Sequence, residues 1–349
     1  MDTLDDDDLA LLHAVQLAPR APWQRLGPVL GADPVTVARR WARLSGSGAA
    51  WFALHPSLDG LTFAFVEVTC GGRSEEVVAA LVRDPRVVTL EHGTGDRDLL
   101  LTVLVPELTD LAEFLLTGLP AMPGVRAVRT TVGIRSFLSG SRWRLRALSP
   151  SQQVRLAALG GSGASAGADG HDGPARGTAR GPARGSAEYR ALLRLLSADA
   201  RLGATELAER LGVSRVTARR RLAAAFSGDL VVRCDVAQPL TGWSVTAMLW
   251  AQVPPDHVDD VARRLAGLPE ARAAESVTGG AANLLLGVWL RTLADLQRLE
   301  AALAQRVPEL RVLDRSIALR TAKRMGRLLD ASGRAVGLVP VDPWATPGD

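Results

Sequence analysis

Lysine is nearly missing from this chain of 349 residues: Lys323 is the single one, so arginine supplies almost all of the positive charge. Cysteine is as scarce. Cys70 and Cys234 are the only two, far apart in alternating apolar surroundings, which excludes a disulfide scaffold and fits a reducing cytoplasm. The five histidines (13, 55, 92, 171, 257) show no H-x-x-H or Cys/His spacing, so neither a metal nor a cofactor is expected. No apolar run approaches the roughly 18 residues of a membrane span. The opening MDTLDDDDLALLHAV is acidic where a secretory leader would be basic. These absences predict a cytoplasmic chain away from the membrane.

The remaining composition is that of a globular protein, 47% hydrophobic and 22% charged with a net charge of +4. Arginine's planar fork suits phosphates and guanine edges, although a GC-rich genome would enrich Arg, Ala and Gly as well.

One stretch is written twice. Residues 31–44 read GADPVTVARRWARL and residues 212–225 read GVSRVTARRRLAAA, 181 positions apart. Gly31 matches Gly212, Val35-Thr36 matches Val216-Thr217, and Arg39-Arg40 matches Arg220-Arg221. Between the copies, residues 160–186 are dense in Gly, Ala and Pro with almost no large apolar side chain, and are expected to be a flexible linker.

The order of elements repeats on either side of that linker. In the first half, helical spacing runs through Leu9, Leu12 and Val15, then Trp23, Leu26 and Leu30, then Val37, Trp41 and Leu44, with Gly31 in the last break. The second half offers Leu192–Leu196, Leu207–Leu211 and then Ala218, Leu222 and Ala225, with Ser214 placed as an N-cap. Three short helices with a tight turn before the third make a helix-turn-helix. The period then switches to two: strands at 61–68, 86–93, 98–105 and 125–134 alternate with helices at 74–83 and 108–119. Strands at 243–253, 271–278, 283–290 and 310–319, with helices at 256–267 and 293–306, repeat this βαββαβ order.

The fold class is therefore α+β: two tandem units, each a three-helix, helix-turn-helix DNA-binding domain followed by a βαββαβ ferredoxin-like domain. The expected domains are 1–48 and 187–228 (helix-turn-helix), 49–159 and 229–322 (ferredoxin-like), with a tail at 323–349 that reads as an extended arm packing on a neighbour.

If Ala218, Leu222 and Ala225 face the helical core, the arginines beside them project outward. Ser214, Arg215, Thr217, Arg219, Arg220 and Arg221 then form a basic face on the helix that would enter a major groove. The first copy supplies Thr36, Arg39, Arg40 and Arg43, with Pro34 and Ala38 where the second has Arg215 and Arg219, so unequal half-sites are expected. The run Asp5–Asp8 reads as a capped, solvated helix start, favourable at the positive end of the helix dipole.

In this order the elements resemble the Lrp/AsnC family of bacterial transcription factors. In that family the turn between the second and third strands carries T-G-x-x-D-hydrophobic. Here it stands as Thr94-Gly95-Asp96-Arg97-Asp98-Leu99; the second copy, Thr278-Gly279-Gly280-Ala281-Ala282-Asn283-Leu284, is one residue longer and has Asn for Asp. The resemblance implies a regulator that binds double-stranded DNA and answers to an amino-acid effector held by Thr94, Gly95, Asp96 and Asp98, and by Thr278, Gly279, Gly280 and Asn283. Asp98 would receive the ammonium and backbone amides the carboxylate. It also implies that residues 1–159 and 187–330 pair as a pseudo-dimer within one chain, and that such chains form homo-oligomers. Two alternatives stay open. One is an enzyme like the sirohaem decarboxylases, which share the scaffold, although EHGTGDRDLLLTV and SVTGGAANLLLGV lack their His/Arg and N-M-W-F signature. The other is a DNA-silent effector-binding partner.

Overall fold

Asp5 starts the first helix: its carboxylate accepts the Asp8 backbone N–H at 2.6 Å, satisfying one of the unpaired donors of the first turn. The computed structural model describes residues 4–160 and 181–346. Helices α1 (Asp6–Leu17), α2 (Trp23–Leu30) and α3 (Pro34–Gly46) pack through Leu12, Val15, Leu26, Val37 and Leu44. Gly31 ends α2 at φ 69°, a left-handed turn that glycine takes without steric cost. Then follow β1 (Ala50–Pro56), β2 (Thr62–Cys70), α4 (Ser74–Leu81), β3 (Val87–Gly93), β4 (Leu99–Val105), α5 (Leu108–Glu113, continued by a π turn), β5 (Val125–Leu138) and α6 (Pro150–Gly160).

The second half repeats the order with α7 (Ala187–Ala198), α8 (Ala204–Leu211), α9 (Arg215–Ala224), β6 (Leu230–Val236), β7 (Val245–Gln252), α10 (Val258–Ala266), β8 (Ala271–Thr278), β9 (Leu284–Leu290), α11 (Ala294–Arg306) and β10 (Arg311–Arg324). Ser214 caps α9, accepting the Thr217 N–H at 3.1 Å. A hairpin of β11 (Arg327–Leu329) and β12 (Ala335–Leu338) closes the chain.

The two expected sheets do not remain separate. Strand order runs β10-β3-β4-β2-β5-β8-β9-β7, and β7 pairs back onto β10, so eight strands close into a barrel. The cause is length. At 14 residues each, β5 and β10 outrun their own sheets: β5 pairs with β2 as far as Val132 and with β8 beyond it, while β10 pairs with β7 up to Ala318 and with β3 beyond it. They therefore end at 138 and 324, past the expected 134 and 319. At the handover in β5 sits Gly133, where a Cβ would lie 1.9 Å from the Phe63 ring.

Alternate residues divide the strands between two environments. Leu99, Leu101 and Val103 face α4 and α5 in one core, and Leu284, Leu286 and Val288 face α10 and α11 in another. Phe63, Phe65, Leu100, Leu104, Trp250 and Leu285 point into the barrel. Burial on both faces explains the unbroken apolar runs of β4 and β9.

The helical units are joined as well. Strand β1 pairs antiparallel with β6 over seven residues, Ala50↔Val236 to Pro56↔Leu230, and one hydrophobic core runs through both units. Arg20 donates to the Ala200 and Leu202 carbonyls, and Arg201, 181 residues on, donates to those of Pro19 and Ala21.

Three boundaries differ from expectation. Residues 150–160 are helical and pack on the first unit, with Leu156 fully buried and Gln152 donating to the Val29 carbonyl, and Ser186 caps α7 by accepting the Tyr189 N–H at 3.2 Å. Of the expected linker, 161–180 lie outside the described residues. The second sheet domain continues past 322, where buried Lys323 donates to the Asp84 carbonyl at 2.8 Å. The tail packs on its own chain: the Ala335 N–H bonds the Gly48 carbonyl, Asp342 pairs with Arg190 at 2.6 Å, and Trp344 meets Tyr189 edge to face.

His13 ties α1 to the segment after β5, its Nδ1 accepting the N–H groups of Ala147 and Leu148 at 3.0 and 3.1 Å. Burial pushes its pKa down to about 4 from 6.5, and does the same to His55. Between those values these two groups bind protons in the unfolded chain that the folded chain refuses, so their contribution to stability is whole above pH 6.5 and drains away as pH falls towards 4. The raised carboxyl of Glu275 works in the opposite sense, so the check is a difference: in thermal melts from pH 7 to 4.5 the parent is expected to lose more stability than His13→Gln as pH falls.

Candidate nucleic-acid interface

The two third helices present their faces differently. On α9, Arg215, Arg219 and Arg220 are exposed, and no ion pair involves them among the described residues. Thr217 is half-buried and shares a 2.9 Å hydroxyl contact with Ser214, so Ser214 orders the helix start from which the arginines project. Arg221 is different: its side chain is 13% exposed and its guanidinium holds Glu188 of α7 at 2.7 Å. It clips the first helix of the unit to the third and is not free to meet DNA, contrary to the outward face expected for it.

The first unit uses the same clip, and more of it. Arg40 pairs with Asp5, Asp7 and Asp8 at 3.1, 2.8 and 3.2 Å, and Arg43 with Asp8 at 2.5 Å. Asp8 is buried, contrary to the solvated helix start expected for the acidic run. Charge–charge contacts with Arg40 and Arg43 add to the Asp8 backbone hydrogen bond in lowering the Asp5 pKa. Two of the three arginines on α3 are thus held by three aspartates, whereas only one of the four on α9 is held, by Glu188. Among the described residues, Arg39 is the predicted α3 arginine that is exposed and in no ion pair, with Thr36 half-buried on the same helix.

Two residues escape a reading of the sequence. Val35 and Val216 are each 77% exposed, at matching positions in the first turns of α3 and α9. An apolar side chain held there in water is placed to meet a thymine methyl in a major groove. Their signal is visible in the sequence: both copies keep valine at a position where the apolar stripe does not need it.

The two turns are locked onto the opposite half. Thr94 exchanges hydrogen bonds with Ile317 of β10, its N–H donating to the Ile317 carbonyl and its hydroxyl accepting the Ile317 N–H. Asp98 accepts the Cys70 N–H at 2.6 Å. Arg97, to which the turn motif gives no role, is buried between Glu67 and Asp314 and lies over Trp250 at 4.3 Å; a charge this costly to desolvate marks a clamp between halves. In the second turn, Gly279 takes φ 105° close to the Thr130 carbonyl, Thr278 pairs with Val132 of β5, and Asn283 brackets the Val253 backbone with bonds of 2.9 and 2.7 Å. Gly95, Asp96, Asp98 and Gly280 stay exposed. The structure thus seats the two groups of expected effector residues at separate turns.

This combination defines a helix-turn-helix regulator built on a ligand-binding barrel. The family model for the Lrp/AsnC ligand binding domain matches residues 63–143 and 246–328, and that for the AsnC-type helix-turn-helix domain matches 4–45 and 190–225. The chain belongs to the Lrp/AsnC family of transcriptional regulators, in tandem duplication. The Bkd operon transcriptional regulator of Pseudomonas aeruginosa is 28% identical over 146 residues, 40% of this chain and 95% of that protein. An uncharacterised HTH-type transcriptional regulator of Pyrococcus abyssi is 29% identical over 139 residues, 39% of this chain and 87% of that one. Among solved structures, the sirohaem decarboxylase NirDL superposes over 92% of this chain and 93% of its own with a TM-score of 0.50 and 17% identity, a likeness of fold alone.

Asn283→Ala leaves a backbone donor and acceptor without partners, and is expected to cost about 1–3 kcal/mol in urea unfolding. The exposed Asp98→Ala should cost less.

Proposed function

We propose that the second helix-turn-helix unit makes the dominant, sequence-reading contact and that the first supplies a weaker one. The observation that carries this reading is the unpaired trio Arg215, Arg219 and Arg220 on α9, set against the acid-clipped arginines of α3. Arginines in this position grip phosphates or read guanine O6 and N7, while Val216 and Thr217 lie where base edges would pass. Thr36, Arg39 and Val35 make the lesser contact. Arg40, Arg43 and Arg221 act one step back, fixing helix orientation.

The domain plan follows: three-helix units at 1–48 and 187–228, the first joined by the helix at 150–160, and βαββαβ units from 49 to 149 and from 229 to 324 that act as an intrachain pseudo-dimer. The chain works as a binding protein and not as an enzyme, at the chromosome in the cytoplasm. An amino-acid effector would meet the exposed turn residues Gly95, Asp96 and Asp98. The second turn, with Thr278, Gly279, Gly280 and Asn283, lacks their acids and is the poorer site. Ile134 and Leu319, 65% and 71% exposed beside the two handover points, are suited to hold one chain against another in a homo-oligomer.

Titration against DNA from its own upstream region in a salt series tests the assignment. Arg219→Ala/Arg220→Ala should weaken binding by roughly 10- to 100-fold and flatten the salt slope by about one for each phosphate left without its arginine; a double variant that binds like the parent overturns it. Asp5→Asn/Asp7→Asn removes exposed acids that compete for Arg40, and should strengthen binding several-fold at low salt with a steeper slope. Unchanged affinity would show that α3 does not approach the phosphates.

A further inference from the structure

The barrel is not filled. A cavity of ≈ 180 Å³ lies between the two sheets, larger than the roughly 150 Å³ hole that admits benzene, and an eight-stranded barrel has an interior of the size that holds one small ligand. Part of its wall is apolar, with Phe63, Phe65, Leu100 and Leu104. The rest carries Arg233, Arg272 and Arg324, which are 7, 8 and 7% exposed.

These three guanidiniums are short of counter-charge. Asp235 is shared by Arg233 at 2.7 Å and Arg272 at 3.4 Å, and Glu91 stands 3.9 Å from Arg324. Two carboxylates thus serve three arginines in ion pairs, in a place where a poorly paired charge is expensive. His55 on the same wall brings none, because burial keeps its imidazole neutral. Among the described residues, Glu275, the third carboxyl group of the wall, pairs with no arginine: its Oε1 accepts the Ser136 hydroxyl at 3.1 Å, and its Oε2 is buried without a partner, as is Arg233 Nε. Burial holds the Glu275 carboxyl well above the usual carboxylate range, which favours its protonated, donating form. Trp289 lies against Arg272 at 3.8 Å and Arg324 at 5.1 Å, and fixes where both charges sit.

We propose that the barrel interior is a binding site for a small organic carboxylate with an apolar body, aryl or branched alkyl. The ligand carboxylate sits beside Arg233 and Arg272, which otherwise share Asp235, within reach of Arg233 Nε and Glu275 Oε2, and the apolar body lies against Phe63, Phe65 and Leu104. The site is separate from the turns at 94–98 and 278–283, none of whose residues lines it.

Phenylacetate is the probe, with the full chain and no DNA present, so the outcome is independent of the operator reading. The melting temperature should climb with the logarithm of phenylacetate concentration, with a change in tryptophan emission from Trp289. Acetate and phenylacetamide at the same ionic strength should do neither. Arg272→Met should abolish the response. Should that variant fail to fold, Thr102→Phe, which fills the cavity from β4 and keeps every arginine, should abolish it instead. No response to phenylacetate overturns the proposal, as does an equal response to acetate, which would mean general anion screening. An equal response to phenylacetamide overturns the carboxylate assignment, and an undiminished response in the folded variants removes the site from the barrel.

Discussion

Two strands of 14 residues, each too long for the sheet it begins in, impose the architecture. A strand that has run out of partners on its own sheet exposes a row of backbone donors and acceptors, which must be paired or hydrated. Here β5 and β10 meet that demand on the opposite half, and because both do so the ring closes and no barrel edge is left. Handover at Val132 and at Ala318 relates the halves by an approximate two-fold. The β1–β6 ribbon and the reciprocal Arg20 and Arg201 contacts extend that symmetry into the helical units. Tandem duplication thus reproduces, inside one chain, a unit that two copies would otherwise have to assemble.

Once joined, the halves are free to diverge, and their charges do. The clip between first and third helices is kept in both, as Arg40 with Asp7 and Arg221 with Glu188. Around it the first unit adds acids and loses arginines, while the second does the reverse. The turns diverge likewise: Arg97 clamps the first across the barrel, and Ala282 stands in its place in the second. A covalent pair can keep two third helices of different charge, which separate identical subunits cannot.

Much of this is readable in the sequence, for local reasons. Helices announce themselves by 3.6-residue stripes and by Gly31 and Ser214 at their ends, and strands by alternation or by short apolar runs between turn residues. The errors share one cause. The ends of β5 and β10, the burial of Asp8 and the seating of the tail all depend on partners many residues away, to which no local pattern refers. The cavity escapes notice for a related reason: its charges come from four strands remote in sequence, two each from β6 and β8 and one each from β3 and β10. A faint signal exists in Arg233, Arg272 and Glu275, polar residues at inward positions of strands that are otherwise apolar.

The sequence by itself determined the repeat, the order of elements and the membership of each half in one family, since periodicity, caps and turn motifs are properties of neighbouring residues. Tertiary structure alone decided that two sheets become one barrel, which arginines are spent on internal ion pairs, and that three arginines and three carboxyl groups from remote segments gather around one cavity. Those outcomes rest on distance and desolvation, which exist only once the chain has brought remote segments together and removed the water between them.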